Sequence, residues 1–259
     1  MLISATDLIK KSIALYKKNA ELFLAYAILI SAPSLVVGFL STMLKTVFNW
    51  QSTSFVTILY GIVIFVFGIA AYFVTLWFSI TFIKVIADSY QGIPTKNFKE
   101  SITSSKPLLF VAFLTSLLSG LAILGGFILL IIPGIIFSIW FAFALYAVVL
   151  DSKKDTEAMK YSKKLVSGRW WAVFWRMFLP SLIFMIVSGA VQMPLDYIMN
   201  SSNTPTITLL ALFVSSMVSI AFAPFLASAQ TILYVELKKT STAMPELSKQ
   251  NNDMPEMPV

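Results

Sequence analysis

Residues 107–150 read PLLFVAFLTSLLSGLAILGGFILLIIPGIIFSIWFAFALYAVVL, a run without one charged side chain. Whether it crosses a membrane once or twice decides the fold. A bilayer has a hydrocarbon core about 30 Å thick, and a helical span needs about 20 apolar residues. As a single helix rising roughly 1.5 Å per residue, 107–150 would be about 66 Å long, close to twice that thickness. The run is therefore expected to fold as two spans joined by a tight turn. Gly125-Gly126 and Pro133-Gly134 carry the turn signals, and a turn near 129–134 divides the run most evenly.

The same reasoning extends along the chain. Further charge-free runs occupy 22–44, 46–83, 177–195 and 197–235. Together they predict an all-α polytopic membrane protein with six transmembrane helices, at about 21–44, 54–88, 107–130, 134–151, 170–197 and 206–238. The composition agrees: the chain is 58% hydrophobic and 12% charged, against about 45–50% and about 25% in soluble domains. Pro33, Pro180 and Pro224 fall inside spans and are expected to kink them. Either neighbouring helices satisfy the freed carbonyls or the kinked helices line a substrate path.

The charges that remain are distributed unevenly. Eighteen basic residues fall in the N-terminal segment, the 84–106 and 153–176 regions and the C-terminal segment, and Lys45 alone falls on the other side. The positive-inside rule then puts both termini in the cytoplasm and turns the connections near 45–53, 130–134 and 198–205 outward. The reading is a multi-pass protein of the cytoplasmic membrane of a prokaryote. No cleavable leader is read at the start, and 21–44 is expected to stay as a signal-anchor. Residues 241–259, ending NNDMPEMPV, read as a disordered tail.

The densest basic segment is TEAMKYSKKLVSGRWW at 156–171. Its first seven residues share the pattern Thr-x-x-apolar-Lys-x-Ser with TDLIKKS at 6–12 and TKNFKES at 95–101. Each copy precedes two spans. This predicts three parallel units, about 5–90, 94–152 and 155–239, each a cytoplasmic amphipathic helix followed by a transmembrane hairpin, within one domain over 1–240. In the first copy Lys10, Lys11, Lys17 and Lys18 oppose Leu8, Ile9, Ile13, Leu15 and Tyr16 at 100° per residue. In the third, Lys160, Lys163 and Lys164 oppose Met159, Leu165 and Val166. Thr6 and Thr156 are the expected N-caps. Such helices suit the headgroup layer, so these lysines and Arg169 are the candidate contacts to anionic lipid headgroups, with membrane lipids as partners. Topology determination alone accounts for the same charges.

The sequence also removes chemistries. With no histidine and no cysteine, the chain has no His-dependent triad, thiol nucleophile or thiolate metal site. It is read as a non-enzyme with no catalytic residue, cofactor or metal site. The basic residues are accounted for by orientation, so nucleic acid is not a partner. A protein partner or a second copy of the chain stays open.

Some polar residues sit in or near spans. Asp151, Arg176 and Glu236 are placed at the cytoplasmic ends of spans four, five and six, where they would form an ion-pair cluster. Gln230 is expected to hydrogen-bond a neighbouring helix. Gln192, Pro194 and Asp196 read as an outer cap of span five, with Pro194 breaking the helix.

Residues 131–175 resemble a bacterial and archaeal membrane family that includes the YciC-like proteins and the membrane domain attached to some glycerophosphodiester phosphodiesterases. The similar elements are Ile132 to Ile135, Asp151 closing span four, the Glu157-Ala158 to Ser162 spacing and Gly168-Arg169-Trp170. LYVELKK at 233–239 is similar to that family's C-terminal pattern. The resemblance implies a membrane domain without chemistry of its own. The phosphodiesterase domain of some relatives is not in this sequence, so its activity does not carry over. The leading expectation is a non-enzymatic membrane protein that interacts with lipids or assists a partner. The alternative is a transporter of a small molecule or lipid through the kinked spans.

Overall fold

In the computed structural model, residues 2–48, 55–95, 97–202 and 205–252 are described. Helices α1 (Ala5–Lys18), α2 (Ala20–Phe48) and α3 (Phe55–Gln91) come first. Then follow α4 (Phe98–Ser105), a short 3₁₀ turn at Lys106–Leu108, α5 (Leu109–Leu129), α6 (Ile131–Phe141) and α7 (Ala144–Asp151). The last three are α8 (Asp155–Val166), α9 (Trp170–Ser202) and α10 (Pro205–Asn252). There is no strand among the described residues. Six helical segments are long and apolar enough to cross a membrane: Ala20–Leu44, Thr57–Gln91, Phe98–Leu129, Ile131–Asp151, Trp170–Ile198 and Phe213–Ser241. The protein is an all-α, polytopic integral membrane protein.

The 107–150 run does split in two. The turn is one extended residue, Leu130, at φ −164° and ψ 155°. Its amide donates to the Gly126 carbonyl, closing α5. The two glycines serve the crossing rather than the turn. A Cβ on Gly134 would overlap the Phe127 ring, and one on Gly126 would lie 2.9 Å from the Phe137 ring and 3.0 Å from the Gly134 Cα. Pro133 sits in the first turn of α6, where an amide would have no helical partner anyway.

The fourth span departs from a single helix. It breaks between Phe141 and Ala144, and Ser162 of α8 bridges the break. The Ser162 hydroxyl donates to the Trp140 carbonyl at 2.6 Å and accepts from the Phe143 amide at 3.1 Å. Both backbone groups would otherwise be unpaired in an apolar interior.

Element order runs short helix, long helix, long helix three times over, with the last of the middle set interrupted. The hairpins α2–α3, α5–α6 and α9–α10 make the most extensive helix pairings. Each short helix packs on the hairpin before it: α4 on α3, and α8 on α5, α6 and α7. Helix α1 packs mainly on α10, with smaller contacts to α9 and α2. The core lies at the end where these short helices gather. Ile80, Ile86, Phe143, Val148, Ile232 and Leu237 are fully buried there, with Leu8 and Phe23 from α1 and α2. The far portions of the hairpins expose apolar side chains instead, including Phe55, Phe65, Met193 and Phe213. Water would not tolerate that surface; a bilayer solvates it.

Several local expectations need correction. Ser4, not Thr6, caps α1, accepting from the Asp7 amide at 3.0 Å. Helix α8 begins at Asp155 with Lys154 at the cap and no side-chain cap bond, so Thr156 lies inside the helix. Helix α9 continues through Pro194 to Ser202, and Gln192 is used sideways, donating to Ser215 at 3.0 Å. Helix α10 continues to Asn252, into the segment expected to be a disordered tail. The centres of the two connections near 45–53 and 198–205, at 49–54 and 203–204, lie outside the described residues, as does 253–259.

Candidate functional site

The short helices are amphipathic, but their apolar faces meet protein. Leu8, Ser12 and Leu15 of α1 are buried, and α1 packs on α10 and α9. Ala158, Ser162, Leu165 and Val166 of α8 are buried, and α8 packs on α5 to α7. Ser101 and Ser105 of α4 are buried, beside the Trp77 indole that donates to the Ile102 carbonyl at 3.0 Å. Much of these faces is thus already covered by protein, although Ile13 of α1 and Phe98 of α4 stay exposed. What remains for a membrane or a partner is the lysine side. Lys10, Lys11, Lys17, Lys18, Lys160, Lys163 and Lys164 are all exposed. Lys163 sits over the Trp140 ring at 4.1 Å from its centroid, and Lys11 donates to the Tyr90 hydroxyl at 3.2 Å.

Arg169 differs from these lysines. Its guanidinium donates to the Leu165 carbonyl at 2.9 Å, the Thr240 hydroxyl at 2.6 Å and the Leu237 carbonyl at 3.0 Å. It closes the end of α8 and ties the α8–α9 corner to α10. Burial lowers its pKa below the ordinary arginine value, a direction with no consequence for its charge at neutral pH. The Lys153 ammonium, by contrast, is held above its usual pKa by Glu157, one turn along α8.

Asp151, Arg176 and Glu236 do not form one cluster. Asp151 accepts from the Tyr234 hydroxyl and the Lys238 ammonium, both on α10. Glu236 accepts from the Tyr90 hydroxyl at 2.8 Å and from Lys239 at 3.2 Å. Arg176 donates to the Ile3 carbonyl and to the Ala172 carbonyl. It anchors the segment before α1 on α9, which the sequence pattern could not have shown. The two carboxylates thus take one tyrosine and one lysine each, and each set joins α10 to another second helix of a hairpin. Between the ends of α3, α7 and α10 lies a cavity of about 330 Å³ of mixed lining, with Asp88, Gln91, Lys238 and Lys239 beside Ala87, Leu150 and Val235.

Gln230 behaves as expected. Its side-chain carbonyl accepts from the Tyr146 hydroxyl at 2.9 Å, joining α10 to α7. The crevice that Gln230 and Pro180 line with Arg176 has no room for a water molecule. No group of three or more acidic residues placed to hold a metal ion occurs among the described residues.

The tyrosines were missed in the sequence. Tyr90, Tyr146 and Tyr234 each supply a hydroxyl to an acidic or amide group on another helix. The signal available was their position within one or two turns of Asp88, Asp151 and Glu236. No protein-family model, curated protein or solved structure matches this chain.

Proposed function

We propose that this is a non-enzymatic membrane protein that engages lipids, or steadies a partner protein, through the basic face at one end of its helical bundle. In this reading the membrane is the cytoplasmic membrane of a prokaryote. Both termini and the three short helices lie in the cytoplasm, as three units of a short helix and a hairpin. The observation that carries it is the division of labour in the short helices. Their apolar sides are spent on the core, and their lysines project outward with no comparable set of acids around them. Anionic headgroups attract such lysines by about 1 kcal/mol each. The motifs at 131–175 and 233–239 support placing the chain near the YciC-like proteins.

The transporter alternative has less in its favour, because a path through the kinked spans needs water-accessible space beside Gln230 and Pro180, and the crevice there is closed. Native mass spectrometry of the protein extracted gently from its own membrane tests the proposal. A stoichiometric lipid or protein companion is the expected result. A bare protein that instead drives uptake into proteoliposomes would refute it. Single-cysteine variants of this cysteine-free chain test the orientation: Lys164→Cys should be labelled only from the cytoplasmic side and Asn203→Cys only from the outside.

A further inference from the structure

A groove of about 560 Å³ opens between α6 and the corner where α8 turns into α9. One wall is Ile132, Ile135, Ile136 and Trp140, a single face of α6 at helical spacing. The other is the Ser167–Gly168 corner with Trp170 and Trp171. Ile132 is 70% and Trp171 67% exposed, so the groove opens on the flank of two membrane-crossing segments. Its volume falls among those of small-molecule sites, roughly 300–1,000 Å³. An apolar groove bordering hydrocarbon fills with a chain, since an empty one forfeits dispersion contacts along both walls.

The corner end of the groove has a different chemistry. Helix α9 starts at Trp170, directly after Arg169. An arginine side chain holds donors only and cannot cap, and this one is directed to α10 and the end of α8. Arg169 thus supplies no acceptor to the first amides of α9, and the helix dipole favours negative charge beside them. The Trp170 indole N–H is buried without a partner. Lys163 and Lys164 stand exposed in the last turn of α8, Lys163 over Trp140 on the groove wall. A long apolar wall, then, ends at the start of a helix, with Lys163 over the wall residue Trp140 and Lys164 next to it in the last turn of α8.

We propose that this groove is the binding site of one anionic phospholipid. An acyl chain lies along the isoleucine face of α6, and the phosphate sits at the start of α9 beside Lys163 and Lys164. The inference rests on the lipid-engaging reading above and assigns it a place and a headgroup charge. The full-length protein is titrated with dioleoyl phosphatidylglycerol and with dioleoyl phosphatidylcholine, and bound lipid is counted by native mass spectrometry. One phosphatidylglycerol should be retained in preference to phosphatidylcholine. Lys163→Gln with Lys164→Gln should weaken that preference by about thirty-fold, from the loss of two lysines near an anionic headgroup. Lys99→Gln with Lys106→Gln removes equal charge from α4 and the turn after it, outside the lysines assigned to headgroups, and should leave it unchanged. Ile136→Trp should fill the groove and abolish retention of both lipids; should that variant fail to fold, the exposed lysine pairs still decide. Equal binding of the two lipids, or equal losses from the two lysine pairs, would overturn the site while leaving lipid engagement standing. Retention of no lipid by any form would sink both.

Discussion

Ser162→Ala is the most informative single substitution in this molecule. Ser162 is fully buried, and its hydroxyl serves the two backbone groups freed where α6 breaks from α7. Alanine would leave the Trp140 carbonyl and the Phe143 amide without that partner. An unsatisfied buried polar group costs about 1–3 kcal/mol, although hydrogen bonds between membrane helices average nearer about 0.6 kcal/mol. Two groups at a break that cannot re-form helical bonds should cost about 2–4 kcal/mol together. The control is Ser12→Ala, at the same place in the first copy of the motif and equally buried. The Ser12 hydroxyl only back-bonds to Leu8 of its own helix at 2.7 Å. That carbonyl keeps its helical partner, and alanine is the better helix former, so the change should fall within about 0.5 kcal/mol. Unfolding both variants in mild detergent by denaturant titration reads the difference, and Ser162→Thr, which keeps a hydroxyl, should recover part of it. If Ser162→Ala and Ser12→Ala unfold together, the bridge across the break contributes nothing and the account of α8 docking is wrong.

Three further outcomes follow from the packing. Gly134→Ala should destabilise by about 1–3 kcal/mol through the clash with Phe127, whereas Gly120→Ala, with open space around it, should stabilise by about 0.5–1 kcal/mol; thermal unfolding separates the pair. Arg169→Lys should behave nearly as Arg169→Ala, because one ammonium cannot reach the three acceptors on α8 and α10, and limited proteolysis should then cut at the α8–α9 corner. Tyr234→Phe should cost about 1–3 kcal/mol in the same unfolding assay by removing a hydroxyl from Asp151, while Tyr72→Phe, on an exposed stretch of α3 where only the ring makes contacts, should be silent.

What was legible in the sequence was whatever depended on a long average. A charge-free run of 44 residues must fold back on itself, and it does so at Leu130, inside the range that length alone indicated. The amphipathic pattern of α1 and α8 was legible too, but its target was not. A helical face of leucine, serine and valine is the same whether it meets headgroups or another helix, and only the tertiary structure tells the two apart. Hydrogen-bond partners were legible only where one residue had few choices. Gln230, a lone amide in an apolar run, had to find another helix and found Tyr146. Arg176 had several choices, and it took the Ile3 carbonyl, far away in sequence, over both acids assigned to it. The break in the fourth span left no mark of its own in the sequence. The group that satisfies it is a serine about twenty residues downstream on a different helix, which no local pattern around 140–144 encodes.

The packing order gives the short helices a role that their lengths alone would not permit. A helix the size of α4 or α8 is marginal by itself, because few hydrogen bonds offset the cost of nucleation. Each is held by a hairpin that the chain has already made: α4 by α3, and α8 by α5 through α7. Helix α1 is held instead by the last hairpin, α9–α10, with Arg176 securing Ile3. The chain start is thereby held by its final third, and the sequence of short helix on previous hairpin closes into a ring. The closure also explains where the core lies. In a bilayer, the hairpins gain little from burying apolar surface against one another, since lipid tails solvate it equally well. At the end where the short helices sit, apolar faces meet interfacial water unless protein covers them, so the hydrophobic effect acts there in full. That is the end where Leu8, Phe143, Leu165 and Leu237 are buried, and it leaves the lysines of α1 and α8 as the surface offered outward.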